Sequence, residues 1–246
     1  MRTAIPSFFA ILLLTVSIRA GTVDEANALY KSGDFARAAT AYDQLLQSEG
    51  ASASRLYNLG NARCHLKQYG PAILAYERAL LISPRDADIR SNLKIARDAA
   101  AVNDEVASDS WWEYPLQWCS LHEWSWLTVT GAVSFAGAAL AWGLQGMQRA
   151  WLKPAILVTL AGGFTLAALG GFAVWHRRGE TSLGIVVAEK PTLRLSPFAT
   201  AESAGDCVPG RTVQLGDHVS GWVHVKLRGS ETAGWLREDE IGALMP

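Results

Sequence analysis

Four asparagines in the first 92 residues of the chain stand at related positions. Asn27 and Asn61 are 34 residues apart, and so are Asn58 and Asn92, with Asp24 one interval earlier in the second set. A carboxamide both donates and accepts hydrogen bonds, so a row of them suits an extended backbone whose own amides and carbonyls need partners. Tyr30, Lys31 and His65 fall at the far end of the same row. Two readings stand side by side: contacts to a bound chain, or solvated and inter-helix asparagines. Other chemistry is sparse. His65, His122, His176, His218 and His224 are scattered, and no HExxH, GxSxG or phosphate loop is present. Cys64, Cys119 and Cys207 fall one to a segment with no CxxC pair, which argues against a metal or redox site and reads them mainly as small buried hydrophobes. No catalytic residue, cofactor or metal is expected, and an enzyme is not the expected function.

The elements that position these residues repeat. Aligning 26–46 with 60–80 pairs Asn27 with Asn61, Phe35 with Tyr69, Ala38 with Ala72 and Tyr42 with Tyr76. A 34-residue period with small and aromatic residues at these offsets is the signature of the tetratricopeptide repeat, a helix-turn-helix unit. The second copy carries Leu59, Gly60, Ala72, Tyr76, Ala79 and Pro84 at the motif's usual places, while Arg63 stands where a tyrosine is usual. In such a solenoid the first helix of each pair lines the concave surface, which places the asparagines in a groove. Beyond Pro84, Ile89, Leu93, Ala96 and Ala100 share one helical face and read as a cap. About two and a half repeats over 21–103 are few for independent stability, so support from the cap, the membrane or a partner is expected. Where chaperone-tail-binding repeats carry basic residues this chain has Val23, Asp88 and Asn92, so a C-terminal carboxylate is not the expected ligand. Neither Asn58 nor Asn61 is assigned to the inter-helix core, so alanine at both is expected to leave the repeats folded.

The chain has 246 residues, half of them hydrophobic (50%), and a formal charge of −1 that points away from nucleic acid. The apolar residues concentrate in three blocks. Residues 1–20 have a basic start, an uncharged run from Thr3 to Ile18 and a cleavage site after Ala20, as in a signal peptide; the rival is an uncleaved anchor. Residues 126–146 and 154–175 are each long enough to span a bilayer and form a hairpin. Arg149 and Lys153 mark the intervening 147–153 as a cytoplasmic loop, which leaves both soluble parts on the extracytoplasmic side of a two-pass inner-membrane protein. Residues 104–125 are a linker rich in tryptophan. Trp111, Trp112, Trp118, Trp124 and Trp126 lead into the first span, where an indole can set its ring among acyl chains and its N–H among headgroups. The alternative is a protein surface. Pro115 argues against one unbroken helix there. Small residues at Gly163, Ala167 and Gly171, and at Thr130, Ser134 and Ala138, recur every four positions and form ridges for close helix packing, between the two spans or with a partner helix.

Residues 182–244 belong to another class. Alternation through Trp222-Val223-His224-Val225-Lys226-Leu227, with glycines between short β-rich runs, indicates a small antiparallel barrel. The runs TLRLSP, GRTVQL, GWVHVKL and GWL resemble bacterial SH3-like domains, a class implying cell-wall or peptide ligands, peptidoglycan among them; Arg194-Leu195-Ser196 stands where arginine-serine-glycine is usual, and a structural or docking role is the alternative. The expected fold is therefore that of a multi-domain membrane protein: an all-α repeat solenoid, a transmembrane hairpin and an all-β barrel. That order, together with the run YNLGNA…AILAYERALLISPRDADIRSNL, resembles the BatE-type proteins of the bacterial aerotolerance (Bat) operon across nearly the whole chain. The resemblance implies von Willebrand A-domain membrane proteins and a MoxR-type ATPase as partners, and a role in oxidative or envelope stress. The function expected is a membrane-anchored scaffold holding a partner's extended segment, with cell-wall binding as the alternative.

Overall fold

The computed structural model describes residues 22–102, 114–145, 150–177 and 182–245. The signal-peptide reading of 1–20, Trp111, Trp112 and Arg149 lie outside the described residues. Five helices come first: α1 (Val23–Lys31), α2 (Phe35–Glu49), α3 (Ala53–His65), α4 (Tyr69–Ile82) and α5 (Ala87–Ala99). Thr22, Asp34, Ser52 and Asp86 each accept a first-turn backbone N–H and so start four of them. The turns after α1, α3 and α5 share one device. Gly33, Lys67 and Ala101 follow each other at 34-residue intervals and have φ of 82°, 60° and 52°. Glycine takes that left-handed conformation freely, whereas Lys67 and Ala101 hold it at a cost of roughly 1–2 kcal/mol each. The repetition thus extends through α5 and its closing turn.

Within the helices, small residues set the spacing. Ala26, Ala38, Ala62, Ala72, Ala79 and Ala96 are fully buried, and a Cβ placed on Gly60 would lie 2.5 Å from Tyr76 Cε1. Tyr42 centres one apolar cluster with Ala26, Ala38, Leu45 and Leu59. Tyr76 centres the next with Leu56, Ile73, Ile89 and Leu93. That second cluster does not end with the helices, because Ile185 and Leu244 from the C-terminal part are buried in it.

The C-terminal part is an antiparallel sheet of strands β1 (Leu183–Val186), β2 (Leu193–Arg194), β3 (Ser203–Gly205), β4 (Thr212–Val219), β5 (Trp222–Leu227), β6 (Ala233–Arg237) and β7 (Ile241–Ala243), in the order β3-β2-β6-β5-β4-β1-β7. Val223, Val225 and Leu227 alternate inward along β5 to meet Val186, Leu193, Val213 and Leu236. Sequence reasoning treats this segment as a separate unit; the packing joins it to the helices. Helix α4 lies against β1 and β7 so closely that a Cβ on Gly70 would lie 2.6 Å from the Val186 carbonyl oxygen. Arg78 donates to the Ala243 carbonyl through Nε at 3.2 Å and Nη2 at 2.6 Å. The sheet therefore supplies the support that the short repeat array lacks.

Between these parts lies a helical hairpin. A short α6 (Tyr114–Gln117) holds Pro115 in its first turn, and a break at Trp118–Ser120 separates it from the long helix that follows. Ser120 and Glu123 then cap each other's backbone amides, 3.2 and 2.7 Å, and start α7 (Leu121–Gln145). After a 3₁₀ turn at Ala150–Leu152, α8 (Lys153–Arg177) returns alongside α7. Both helices are long and apolar enough to cross a membrane, and only 11% of each apolar window is buried within the protein. Their shared seam includes Ser134, Ala138, Gly163 and Ala167 of the expected ridges and corrects them at Thr130 and Gly171. Burial runs through Trp124, Thr128, Gly131, Ser134 and Ala138 on α7, and through Leu160, Gly163, Ala167, Gly170, Ala173 and Val174 on α8. Steps of three and four residues track a contact line, whereas a constant step of four drifts off it. Gly171 accordingly has open space beside it and Thr130 is exposed, while a Cβ on Gly163 would lie 2.7 Å from the Phe135 amide.

Exposed indoles mark both ends of the hairpin: Trp118, Trp126 and Trp175 at one, Trp142 and Trp151 at the other. The second group lies outside the stretch singled out in the sequence. Trp124 and Trp126 satisfy their N–H groups within the protein, on the Leu116 carbonyl at 3.0 Å and on His122 Nε2 at 2.8 Å. Leucine at position 163 is expected to overpack the seam by about 1–3 kcal/mol and lower the thermal midpoint in detergent, whereas leucine at position 171 should leave it unchanged.

Candidate functional site

The face carrying the asparagines is built from α1, α3 and α5, and it is held together by a hydrogen-bond ladder. Tyr42 and Tyr76, each 1% exposed, need an acceptor for a buried hydroxyl. Each finds it 15 residues back. Tyr42 donates to Asn27 Oδ1 and Tyr76 to Asn61 Oδ1, both at 2.6 Å. The same oxygens take a second bond from the following first helix: Asn58 Nδ2 to Asn27 at 3.3 Å, and Asn92 Nδ2 to Asn61 at 2.8 Å. Asn92 also reaches Tyr57 Oη at 3.1 Å.

An ion pair repeats with the ladder. Arg63 bridges back to Asp43 at 2.6 Å, and 34 residues on Arg97 bridges to Glu77. Arg63, out of place for the motif, is the residue that locks α3 to α2. Asp43, Glu77 and Arg97 went unnoticed in the sequence, although both members of the pair recur at the repeat interval. The register also predicts where the ladder stops. Residue 95, equivalent to Asn27 and Asn61, is an exposed isoleucine.

Asn27, Asn58, Asn61 and Asn92 are thus brought together in one half-buried row, and the inter-helix reading accounts for their visible bonds. The expectation that alanine at Asn61 spares the fold is corrected, since Asn61 is the acceptor for a buried tyrosine. The ladder uses Oδ1 of Asn27 and Asn61 and Nδ2 of Asn58 and Asn92. The opposite ends of the carboxamides remain: donors at 27 and 61, acceptors at 58 and 92. At the end of the row Tyr30 Oη lies 3.1 Å from His65 Nε2, and the His65 ring stacks on Phe35 with centroids 4.0 Å apart. Lys31 is exposed beside them. Tyr69 opens α4 and Pro84 follows its last turn, both half-buried.

Behind the row, Cys64 receives a weak hydrogen bond from the Tyr76 hydroxyl at 3.7 Å. Burial, ahead of the proximity of Cys64, raises the Tyr76 hydroxyl far above the ordinary phenol range, so it stays a donor. Burial also raises the Cys64 thiol, against a smaller lowering by the Tyr76 hydrogen bond, and a protonated thiol is a poor nucleophile. All three cysteines are half-buried, Cys64 and Cys207 at the edges of apolar clusters, so none of them is the fully buried hydrophobe expected. Among the described residues, no three His, Cys, Asp or Glu side chains are grouped to hold a metal ion. Comparison with family models, curated proteins and solved structures finds no match to this chain.

Replacing Asn61 with alanine is expected to destabilise the helices by about 1–3 kcal/mol, because the Tyr76 hydroxyl is left buried without an acceptor. Adding Tyr76→Phe should recover part of that loss, read as a non-additive cycle in denaturant unfolding. Cys64 should alkylate at neutral pH more slowly in the folded chain than after unfolding.

Proposed function

We propose that the chain is a membrane-anchored scaffold of tetratricopeptide type whose asparagine row holds an extended segment of a partner protein. One observation carries the reading: after the ladder has satisfied both buried tyrosines, each junction still offers a carboxamide donor and a carboxamide acceptor. An extended backbone presents amides and carbonyls in alternation and can use both. The exposed Lys31 and the His65 edge bound the row at one end. The hairpin, with indoles at both ends, anchors this face at a bilayer, and we place both soluble parts on the extracytoplasmic side of a bacterial inner membrane. The resemblance to BatE-type proteins adds a class of partner, von Willebrand A-domain membrane proteins, in an aerotolerance or envelope-stress complex.

The informative variant is Asn58→Ala. Asn58 makes the longest rung, 3.3 Å, and Tyr42 keeps Asn27 without it. A photo-crosslinker at Lys31 in the full-length membrane protein is expected to capture a protein partner, and one at the exposed Thr40 on α2 should not. In the Asn58→Ala background the capture should weaken by roughly 5- to 150-fold in affinity, the equivalent of one lost site at about 1–3 kcal/mol, with helix content unchanged. Equal capture from Lys31 and Thr40, or capture indifferent to Asn58, sinks the groove reading. Retention of the full-length protein on purified peptidoglycan, with no Lys31 capture, would transfer the function to the SH3-like sheet. Protease added outside spheroplasts is expected to cut both soluble parts.

A further inference from the structure

We infer that the corner of the helical domain between α4 and α5 rests on the lipid headgroups, so that α1 to α5 stand upright on the bilayer with the asparagine row running along it. The inference rests on the reading of α7 and α8 as membrane-spanning.

Consecutive helices run antiparallel, so the turns at 50–52 and 83–86 share one end of the domain and those at 32–34 and 66–68 share the other. Among the described residues, the first end carries the polar contacts to the hairpin. Arg85, in the turn after α4, donates to the Trp118 carbonyl at 3.1 Å and pairs with Glu123 in the first turn of α7 at 2.6 Å. Arg90 braces that turn by donating to the Arg85 carbonyl at 3.0 Å. Glu123 lies three residues before the exposed Trp126, about 4.5 Å along the helix from the level an interfacial indole marks. The corner is thereby held within headgroup depth. What it turns outward there is apolar: Ile82 is 43% exposed on the last turn of α4, and Trp118 is 68% exposed beside Arg85. Both find at the interface the amphipathic surroundings that water does not give.

Charge specifies the lipid. Arg85 and Arg90 are matched by Asp86, Asp88 and Glu123, so the corner carries no basic excess to seek an anionic leaflet. The fitting partner is a zwitterionic surface. The far end, at Lys67, lies about 21 Å away along the 14 residues of α4.

The test uses the full chain with its native cysteines replaced by alanine, its fold checked by circular dichroism, in phosphatidylcholine nanodiscs. Bimane is attached at Ile82→Cys, Lys67→Cys or Val133→Cys, and nitroxides are placed on the headgroup or deep in the acyl chain. Headgroup nitroxide is expected to quench the label at 82 and spare the one at 67, while the deep nitroxide quenches the label at 133. Adding Arg85→Ala should abolish quenching at 82 and leave 133 unaffected. Quenching at 133 with 82 no more affected than 67 would overturn the resting corner and leave the spanning hairpin standing. No quenching at 133 would remove both. Quenching at 82 that requires anionic lipid would overturn the zwitterionic assignment.

Discussion

Two phenolic hydroxyls constrain how the helices can stack. Tyr42 and Tyr76 are packed where water does not reach, and a hydroxyl there must find an acceptor or forfeit about 1–3 kcal/mol. Asn27 and Asn61 answer that need, and each oxygen has a second lone pair that receives the next helix. One atom per repeat therefore sets both the spacing within a helical pair and the register between pairs. Arg63 with Asp43, and Arg97 with Glu77, fix the same junctions from the other side. The proposed recognition surface is what remains of these carboxamides once the structural demand has been met. Its geometry is as regular as the tyrosines that position it.

Three arginines tie distant segments together, each through a main-chain carbonyl: one joins the helices to the sheet, one joins them to the hairpin, and one closes the hairpin on itself. Arg78 reaches Ala243, Arg85 reaches Trp118, and Arg177 reaches Cys119 at 2.6 Å. The planar guanidinium presents several donors in fixed directions, which suits it to such points. Because a carbonyl is common to every residue, the acceptors of these three bonds are not marked by their own side chains.

That difference explains which features could be read directly. Periodic ones were legible: the 34-residue interval, the alternation along β5, and two long apolar helices follow from local pattern. Register brings the asparagines into one row, but it does not show the tyrosine hydroxyls that claim them, since a hydroxyl's partner depends on three-dimensional placement. The hairpin seam was misjudged at Gly171 because a constant step of four is an approximation to helix periodicity that fails after two turns. The union of sheet and helices left no trace at all. Ile73, Ile185 and Leu244 look like ordinary core residues of their own segments, and only the fold reveals that they share a core.

That shared core has a consequence for biogenesis. The contact from Arg78 to Ala243 closes a separation of 165 residues, and the whole hairpin is synthesised between its two halves. While the ribosome is still producing the hairpin, the outer face of α4 has no strand to cover it. Completion of the helical domain must therefore wait for β1 and β7 to follow the hairpin to their final position. Such long-range closure is slow. During that interval Ile73 and Leu74 are available to holdases and proteases, so a chain truncated before β7 would be recognised as unfinished even though every repeat in it is intact.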